Sequence, residues 1–130
     1  SMSTLEVSNL NDGTTTVATT FVTNGSAKAW NSFVGTGTVA LRDSFNTSSI
    51  TDRGTGAYTT NFSSSFGNAN YSHTALSSRS ADANQVGLFC GNSTDSSVPT
   101  TSAAQISEIA GASSFFDIDL VNNTFHGDLA

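Results

Sequence analysis

The strongest constraint on the fold is a series of short runs in which apolar and polar residues alternate, each followed by a turn signal. Alternation puts successive side chains on opposite faces of a strand, and turns roughly every eight to twelve residues are typical of sandwiches and small barrels. We therefore predict an all-β fold, an antiparallel β-sandwich of jelly-roll type. The predicted strands are residues 27–34, 38–45, 58–62, 71–76, 85–90, 101–109 and 115–125.

The composition agrees with strands. Ser, Thr, Asn and Gly supply 64 of the 130 residues, while one Lys and two Glu leave few strong helix formers. A chain this polar could be disordered, but 36% of its residues are apolar and nine Phe recur along it. Residues 101–110 could form a short helix instead of a strand, because Ala and Glu favour helices; we prefer the strand.

Two parts of the chain are expected. Residues 1–25 form a β leader with strands at 3–10 and 14–23, and residues 26–130 form the sandwich. An isolated hairpin buries too little apolar surface to be stable, so we expect the leader to pack against another surface, for which another copy of the chain is one candidate.

The alternation also predicts which aromatic residues are buried. Val39, Leu41 and Phe45 share one face of their strand, although Asp43 interrupts it. Because Phe62 shares a face with the other alternating residues of its strand, we expect Phe45 and Phe62 to lie in the core.

Charge excludes some functions. The net charge is −6, the isoelectric point is near 4.3, and the basic residues are separated, which disfavours nucleic-acid binding. No apolar stretch of about eighteen residues occurs, so we expect no membrane insertion. Cys90 has no second cysteine to pair with and is interpreted as a small buried strand residue.

The acidic pair Asp117 and Asp119, with Asn122 nearby, could supply oxygen ligands to a cation, since residues two apart on a strand share a face. We favour the simpler interpretation, in which the two carboxylates mark the solvent side of a strand. No metal or other cofactor is predicted. His73 is interpreted as a hydrogen-bonded structural residue, and His126 could serve a metal or a symmetry axis if several chains converged.

Aromatic residues can stack on sugar rings while neighbouring polar groups bind hydroxyls. Trp30, Tyr58 and Tyr71 could act in this way, but each lies in an alternating run, so we favour a core position for Trp30. The polar loops at 79–84 and 91–100 are the preferred contact surface. The residues predicted to contact a receptor are Arg79, Asp82, Asn84, Asn92 and Asp95.

Several motifs carry a resemblance to a known family. They are Ser26-Ala27-Lys28-Ala29-Trp30, Gly35-Thr36-Gly37, Ser44-Phe45-Asn46, Thr55-Gly56 followed by Tyr58-Thr59 and Asn61-Phe62, Asn68-Ala69-Asn70-Tyr71, and Phe125-His126-Gly127-Asp128. In this order they resemble the C-terminal module of bacteriophage and prophage tail-fibre proteins. The likeness is specific over residues 26–71, about a third of the chain, and the leader resembles the fibre segment that precedes this module.

The resemblance implies a homotrimeric, non-catalytic virion protein, displayed extracellularly at the distal tail fibre and joined to other fibre segments. Its partner would be a host-surface glycan or protein. Leu5, Val7, Val17 and Phe21 would pack about the threefold axis.

Two other functions stay open. The first is a monomeric carbohydrate-binding module of an extracellular bacterial protein. The second is a hydrolase, which would need a carboxylate pair facing one cleft; Asp117 and Asp119 are the local candidates.

Overall fold

The computed structural model describes residues 2–78, 87–89, 99–110 and 114–130, and within them the chain is predominantly antiparallel β structure. The strands are β1 (Asn9–Asn11), β2 (Thr16–Ala18), β3 (Ala29–Val34), β4 (Ala40–Phe45), β5 (Thr47–Gly54), β6 (Ala57–Phe62), β7 (Ser72–Ser78), β8 (Gly87–Phe89), β9 (Ala103–Ala110), β10 (Ser114–Phe115) and β11 (Leu120–His126), with one short helix in the described part, α1 (Thr19–Gly25).

Two sheets form the main body. Sheet I has the strand order β4-β3-β11-β7, and sheet II has the order β10-β9-β6-β5 with β8 also paired to β9. All of these pairings are antiparallel. The expected all-β fold is therefore confirmed. The two packed sheets agree with the predicted jelly-roll type. The connections between strands differ from that type, because β3–β4 and β5–β6 are hairpins within one sheet each.

The core between the sheets consists of two clusters. Phe33 and Val121 from sheet I meet Tyr58 and Ile106 from sheet II, together with Ile118. The second cluster contains Ala29, Phe62, Phe66, Ala104 and Phe125, with Tyr71 packed against it. Since both sheets contribute to each cluster, burial of apolar surface holds the two layers together.

Asn46 forms the corner at which the chain leaves sheet I and enters sheet II. Its φ is 52°, a left-handed conformation that Asn tolerates better than most residues. The side-chain amide donates to the carbonyls of Lys28, at 3.0 Å, and Ser64, at 3.1 Å, and its oxygen accepts from the Ser64 N–H at 2.6 Å. One residue thereby joins three segments of the sandwich.

Several boundaries differ from those predicted. Residues 101–110 do contain a strand rather than a helix. Residues 116–119 precede β11 instead of belonging to it, and Thr19–Gly25 is helical where a strand was predicted. The apolar residues of this segment follow a helical spacing of i, i+1, i+4 and i+5, which explains why a helix forms there. They are Val17, Ala18, Phe21 and Val22.

The leader adds nothing to either core cluster. β1 and β2 form a hairpin around Asn11-Asp12-Gly13 that is much shorter than the predicted strands at 3–10 and 14–23. The Asp12 carboxylate accepts from the N–H groups of Thr14 and Thr15. These backbone donors lower the pKa of Asp12.

No helix in the described ranges is both long and apolar enough to cross a membrane.

Candidate functional site

The outer side of sheet I carries two large aromatic side chains for which core positions are predicted from the sequence. Trp30 is 38% exposed and Phe45 is 54% exposed, so the predicted core positions of both residues are wrong. They are directly opposite each other in the β3–β4 pairing. A tryptophan and a phenylalanine side by side on a sheet surface are available to a ligand.

A β-bulge explains why the prediction failed for Phe45. Ser32 pairs with Asp43 while Phe33 pairs with Leu41, so Arg42 is an extra residue in β4. One extra residue moves every side chain after it to the other face of the sheet. Leu41 consequently points into the core, whereas Asp43 and Phe45 point outward. The interruption of the apolar face at Asp43 was the signal in the sequence that could have revealed this.

Polar side chains surround the aromatic pair. The register puts Thr124 beside Trp30, and it aligns Asp43, Ser32 and Asn122 in the next row across β4, β3 and β11. The burial of β3 and β11 alternates, with Ala29, Asn31 and Phe33 inside and their neighbours outside. We call the six outward residues the Trp30 face: Trp30, Phe45, Thr124, Asp43, Ser32 and Asn122.

The strand that carries Trp30 is held in place from its buried side. Asn31, on the buried side of β3, donates to Thr60 Oγ1 at 3.2 Å across the core, and it accepts from Asn123 Nδ2 at 2.8 Å. The Thr47 hydroxyl lies 3.4 Å from the Trp30 carbonyl. These bonds join β3 to β11 in its own sheet and to β5 and β6 of sheet II, so the aromatic pair sits on strands fixed by hydrogen bonds rather than on a loop.

His73 is structural, as predicted. Its Nε2 lies 2.8 Å from Asn123 Oδ1, and its ring stacks on Phe125 with a centroid separation of 4.2 Å. Because Asn123 donates its amide to Asn31, its oxygen faces the imidazole, so Nε2 carries a proton and donates to it. Burial lowers the pKa of His73 from 6.5, while the hydrogen bond to Asn123 opposes that shift.

The two other aromatic candidates are part of the core. Tyr58 is fully buried, and its hydroxyl donates to the Gly35 carbonyl at 2.6 Å. Tyr71 is partly buried, with its hydroxyl 3.0 Å from the Thr100 carbonyl and 2.9 Å from that of Ala103. Burial raises the pKa of Tyr71 to about 12.

The acidic pair does not lie on a strand, which corrects the predicted solvent-side position. Asp117 Oδ1 accepts from the Gly56 N–H at 2.8 Å and lies 3.0 Å from the Tyr58 hydroxyl. This carboxylate ties the β5–β6 turn to the segment before β11. The Asp119 carbonyl accepts from Arg42 Nη2 at 2.8 Å. Among the described residues, no group of three or more His, Cys, Asp and Glu side chains is arranged to hold a metal.

The remaining site predictions lie outside the described residues: Arg79, Asp82, Asn84, Asn92 and Asp95, together with Cys90. His126 is the last residue of β11, and its side chain is half-buried.

A second surface lies on the leader. Phe21 is 73% exposed and Leu5 is 81% exposed, and Val7, Leu10, Val17 and Val22 are exposed as well. Helix α1 has no buried residue. The apolar side chains of the leader are thus free for another molecule.

Protein-family models, curated proteins and solved structures were compared with this chain, and none of them matches it.

Proposed function

We propose that this chain is a non-catalytic, receptor-binding module of a bacteriophage tail fibre, displayed outside the virion as a homotrimer. The observation that carries the proposal is the leader, whose apolar side chains are exposed and enter neither core cluster. Such a segment exposes apolar surface at a cost in free energy unless another chain covers it. Intertwined fibre chains would supply that cover.

The motifs that resemble the tail-fibre module support the proposal because several of them have a distinct role in the fold. Asn46 makes the corner between the sheets, and Phe62, Tyr71 and Phe125 pack edge-on against one another. Gly127 is also in close contact with this group, since a Cβ there would come 2.8 Å from the Cβ of Tyr71. The residues that carry the resemblance are therefore also residues on which the packing of this fold depends.

The fold suits an adhesive role. A two-layer sandwich positions side chains on a rigid surface, and the loops at residues 79–84 and 91–100 would add further contacts. Arg79, Asp82, Asn84, Asn92 and Asp95 stay predictions as receptor contacts. The host-surface partner would be a glycan or a protein.

The first test is the molar mass in solution, measured by light scattering on a sizing column. We expect about 40 kDa, three times the chain mass of 13.4 kDa. The second measurement is adhesion of the fluorescently labelled protein to intact cells from a panel of bacteria, and we expect saturable binding to some strains. A monomer that adheres to no strain would contradict the proposal.

A second candidate, a monomeric carbohydrate-binding module, is favoured by the exposed Trp30. It predicts a mass near 13.4 kDa together with sugar binding. The mass measurement separates the two functions.

A further inference from the structure

We infer that the Trp30 face binds a neutral glycan, with sugar rings stacked on Trp30 and Phe45 and sugar hydroxyls bound by Asp43 and Asn122. This inference rests on the proposed adhesive function and names both the ligand class and its place on the molecule. It moves the contact surface from the predicted loops to the outer side of sheet I.

The first argument is the mixture of surfaces. One side of a pyranose ring presents C–H groups, which pack against aromatic rings, while its edge presents hydroxyls. On the Trp30 face the aromatic row of Phe45 and Trp30 lies next to a polar row, and the register puts Asp43 and Asn122 on either side of Ser32. A ligand that is apolar on one side and polar at its edge matches this arrangement.

The second argument is the availability of polar groups. Within the described part of the chain the Asn122 side chain makes no hydrogen bond, so its amide can both donate to and accept from hydroxyls. Asp43 is exposed, and one carboxylate oxygen accepts from the Ser44 N–H at 2.8 Å, which holds the carboxylate in place and leaves the other oxygen for a ligand. A fixed carboxylate beside an aromatic ring is suited to accept paired sugar hydroxyls.

The third argument is charge. Asp43 is the one charged residue of the Trp30 face, and the whole chain carries a net charge of −6. Anionic ligands such as sialylated, sulfated or uronate-rich polysaccharides would be repelled by both. A neutral polyhydroxyl ligand meets no such barrier, so charge selects neutral glycans from the larger class.

The size of the Trp30 face agrees with a short oligosaccharide. Three neighbouring strands span about 10 Å, and two side-chain rows along a strand are about 7 Å apart. That area covers about two sugar rings. On β7, Leu76 continues the polar row beside Asn122 and is 69% exposed, which extends the platform for a longer chain.

The sequence supplies a reporter for the test. Trp30 is the sole tryptophan, so its emission and its quenching by acrylamide report directly on the proposed site. The purified chain of 130 residues would be screened on a glycan array that carries neutral hexose and N-acetylhexosamine oligosaccharides beside anionic ones. Neutral hits would then be titrated by tryptophan fluorescence. We expect saturable binding, a changed emission and protection of Trp30 from acrylamide.

Two variants locate the site. Phe45→Ala keeps the reporter and should weaken binding about tenfold or more, as expected on loss of an aromatic anchor. Trp30→Ala, measured by calorimetry, should abolish detectable binding. The matched control is Phe115→Ala on β10 of sheet II, because Phe115 is 39% exposed and Trp30 is 38% exposed. It should bind like the unmodified chain. Circular dichroism of every variant verifies folding.

The outcomes are distinct. Binding only to anionic glycans, no binding to any glycan, or equal binding by Phe45→Ala would overturn the inference. A fall in molar mass on Trp30→Ala would show that a second copy covers this face, which also overturns it. If the Trp30→Ala protein stays trimeric and still adheres to cells, the proposed function holds and the glycan site is wrong. A monomeric chain whose Trp30 face binds neutral glycans would instead contradict the proposed fibre function and support the proposed glycan site.

Discussion

Phe62 lies at the centre of the aromatic cluster, with ring centroids 4.9 Å from Phe66, 5.6 Å from Tyr71 and 5.0 Å from Phe125. Truncation to alanine would leave a cavity between the sheets. We expect Phe62→Ala to lower the free energy of unfolding by about 3–5 kcal/mol. Phe45→Ala should lower it by less than about 1 kcal/mol, because that ring is already half in water. Denaturant melts of the two proteins give the comparison, and equal losses would show that Phe45 is buried.

His73 should make stability depend on pH. Its pKa in the folded protein is lowered from 6.5, so the unfolded chain takes up a proton first as the pH falls. The part of the stability that depends on neutral His73 is therefore fully present above about pH 7.5. It decreases as the pH falls below 6.5, until the folded-state pKa is reached. The slope from this residue is at most about 1.4 kcal/mol per pH unit.

The measurement is the urea midpoint between pH 7.5 and 5.5, a window above the usual titration of carboxylates. The control is His73→Gln, which keeps an amide donor for Asn123 but does not titrate. We expect a smaller loss of stability in the variant. The same loss in both proteins would assign the pH dependence to other groups.

The exposed aromatic pair shows what the sequence could not predict at this scale. Alternation alone puts Phe45 and Leu41 on one face, since a period of two cannot reveal an extra residue. The bulge at Arg42 is set by pairing with β3, which is a long-range property. Trp30 has the parity of the solvent side of β3, and its predicted core position depended on the general tendency of large aromatics in alternating runs to be buried.

At the scale of elements, strands with regular alternation and flanking glycines were predicted correctly. The hairpin partners β3 and β4 and the strands β6, β7 and β9 fall within a few residues of the predicted ranges. The helix α1 was missed because Thr, Val and Phe favour strands, although their spacing was helical. Residues 116–119 were misassigned because Asp117 is bonded to the β5–β6 turn, a contact without a local signal.

Asn46 offers a test of the corner between the two sheets. Asn46→Gly removes the side-chain hydrogen bonds but tolerates the positive φ, whereas Asn46→Ala removes the bonds and adds steric strain. We expect both variants to be less stable than the original chain by about 1–3 kcal/mol, with alanine lower than glycine by about 1 kcal/mol. Thermal or urea unfolding measures the order, and an alanine variant as stable as glycine would mean that the strain is absent.

At the scale of the whole molecule, the chain divides its apolar surface between two uses. The sandwich buries Phe33, Tyr58, Phe62 and Phe125 inside one chain, while the leader presents Leu5 and Phe21 to solvent. Both core clusters of the sandwich are made of residues from the sandwich itself. No leader residue enters either cluster, and the proposed trimer would cover the apolar residues of the leader with the same residues repeated about an axis.

This division predicts that assembly and folding can be separated by substitution. Phe21→Asp together with Leu5→Asp should reduce the mass from about 40 kDa to the 13.4 kDa of one chain, because charged groups cannot be buried unpaired at an axis. The far-UV circular dichroism of the sandwich should persist, since no leader residue enters a core cluster. The matched control is Leu76→Asp, which adds a charge at an exposed apolar residue of sheet I and should leave the mass unchanged. A trimer that survives the leader substitutions would place the contact between chains elsewhere, and a chain that unfolds with them would show that the sandwich depends on its neighbours.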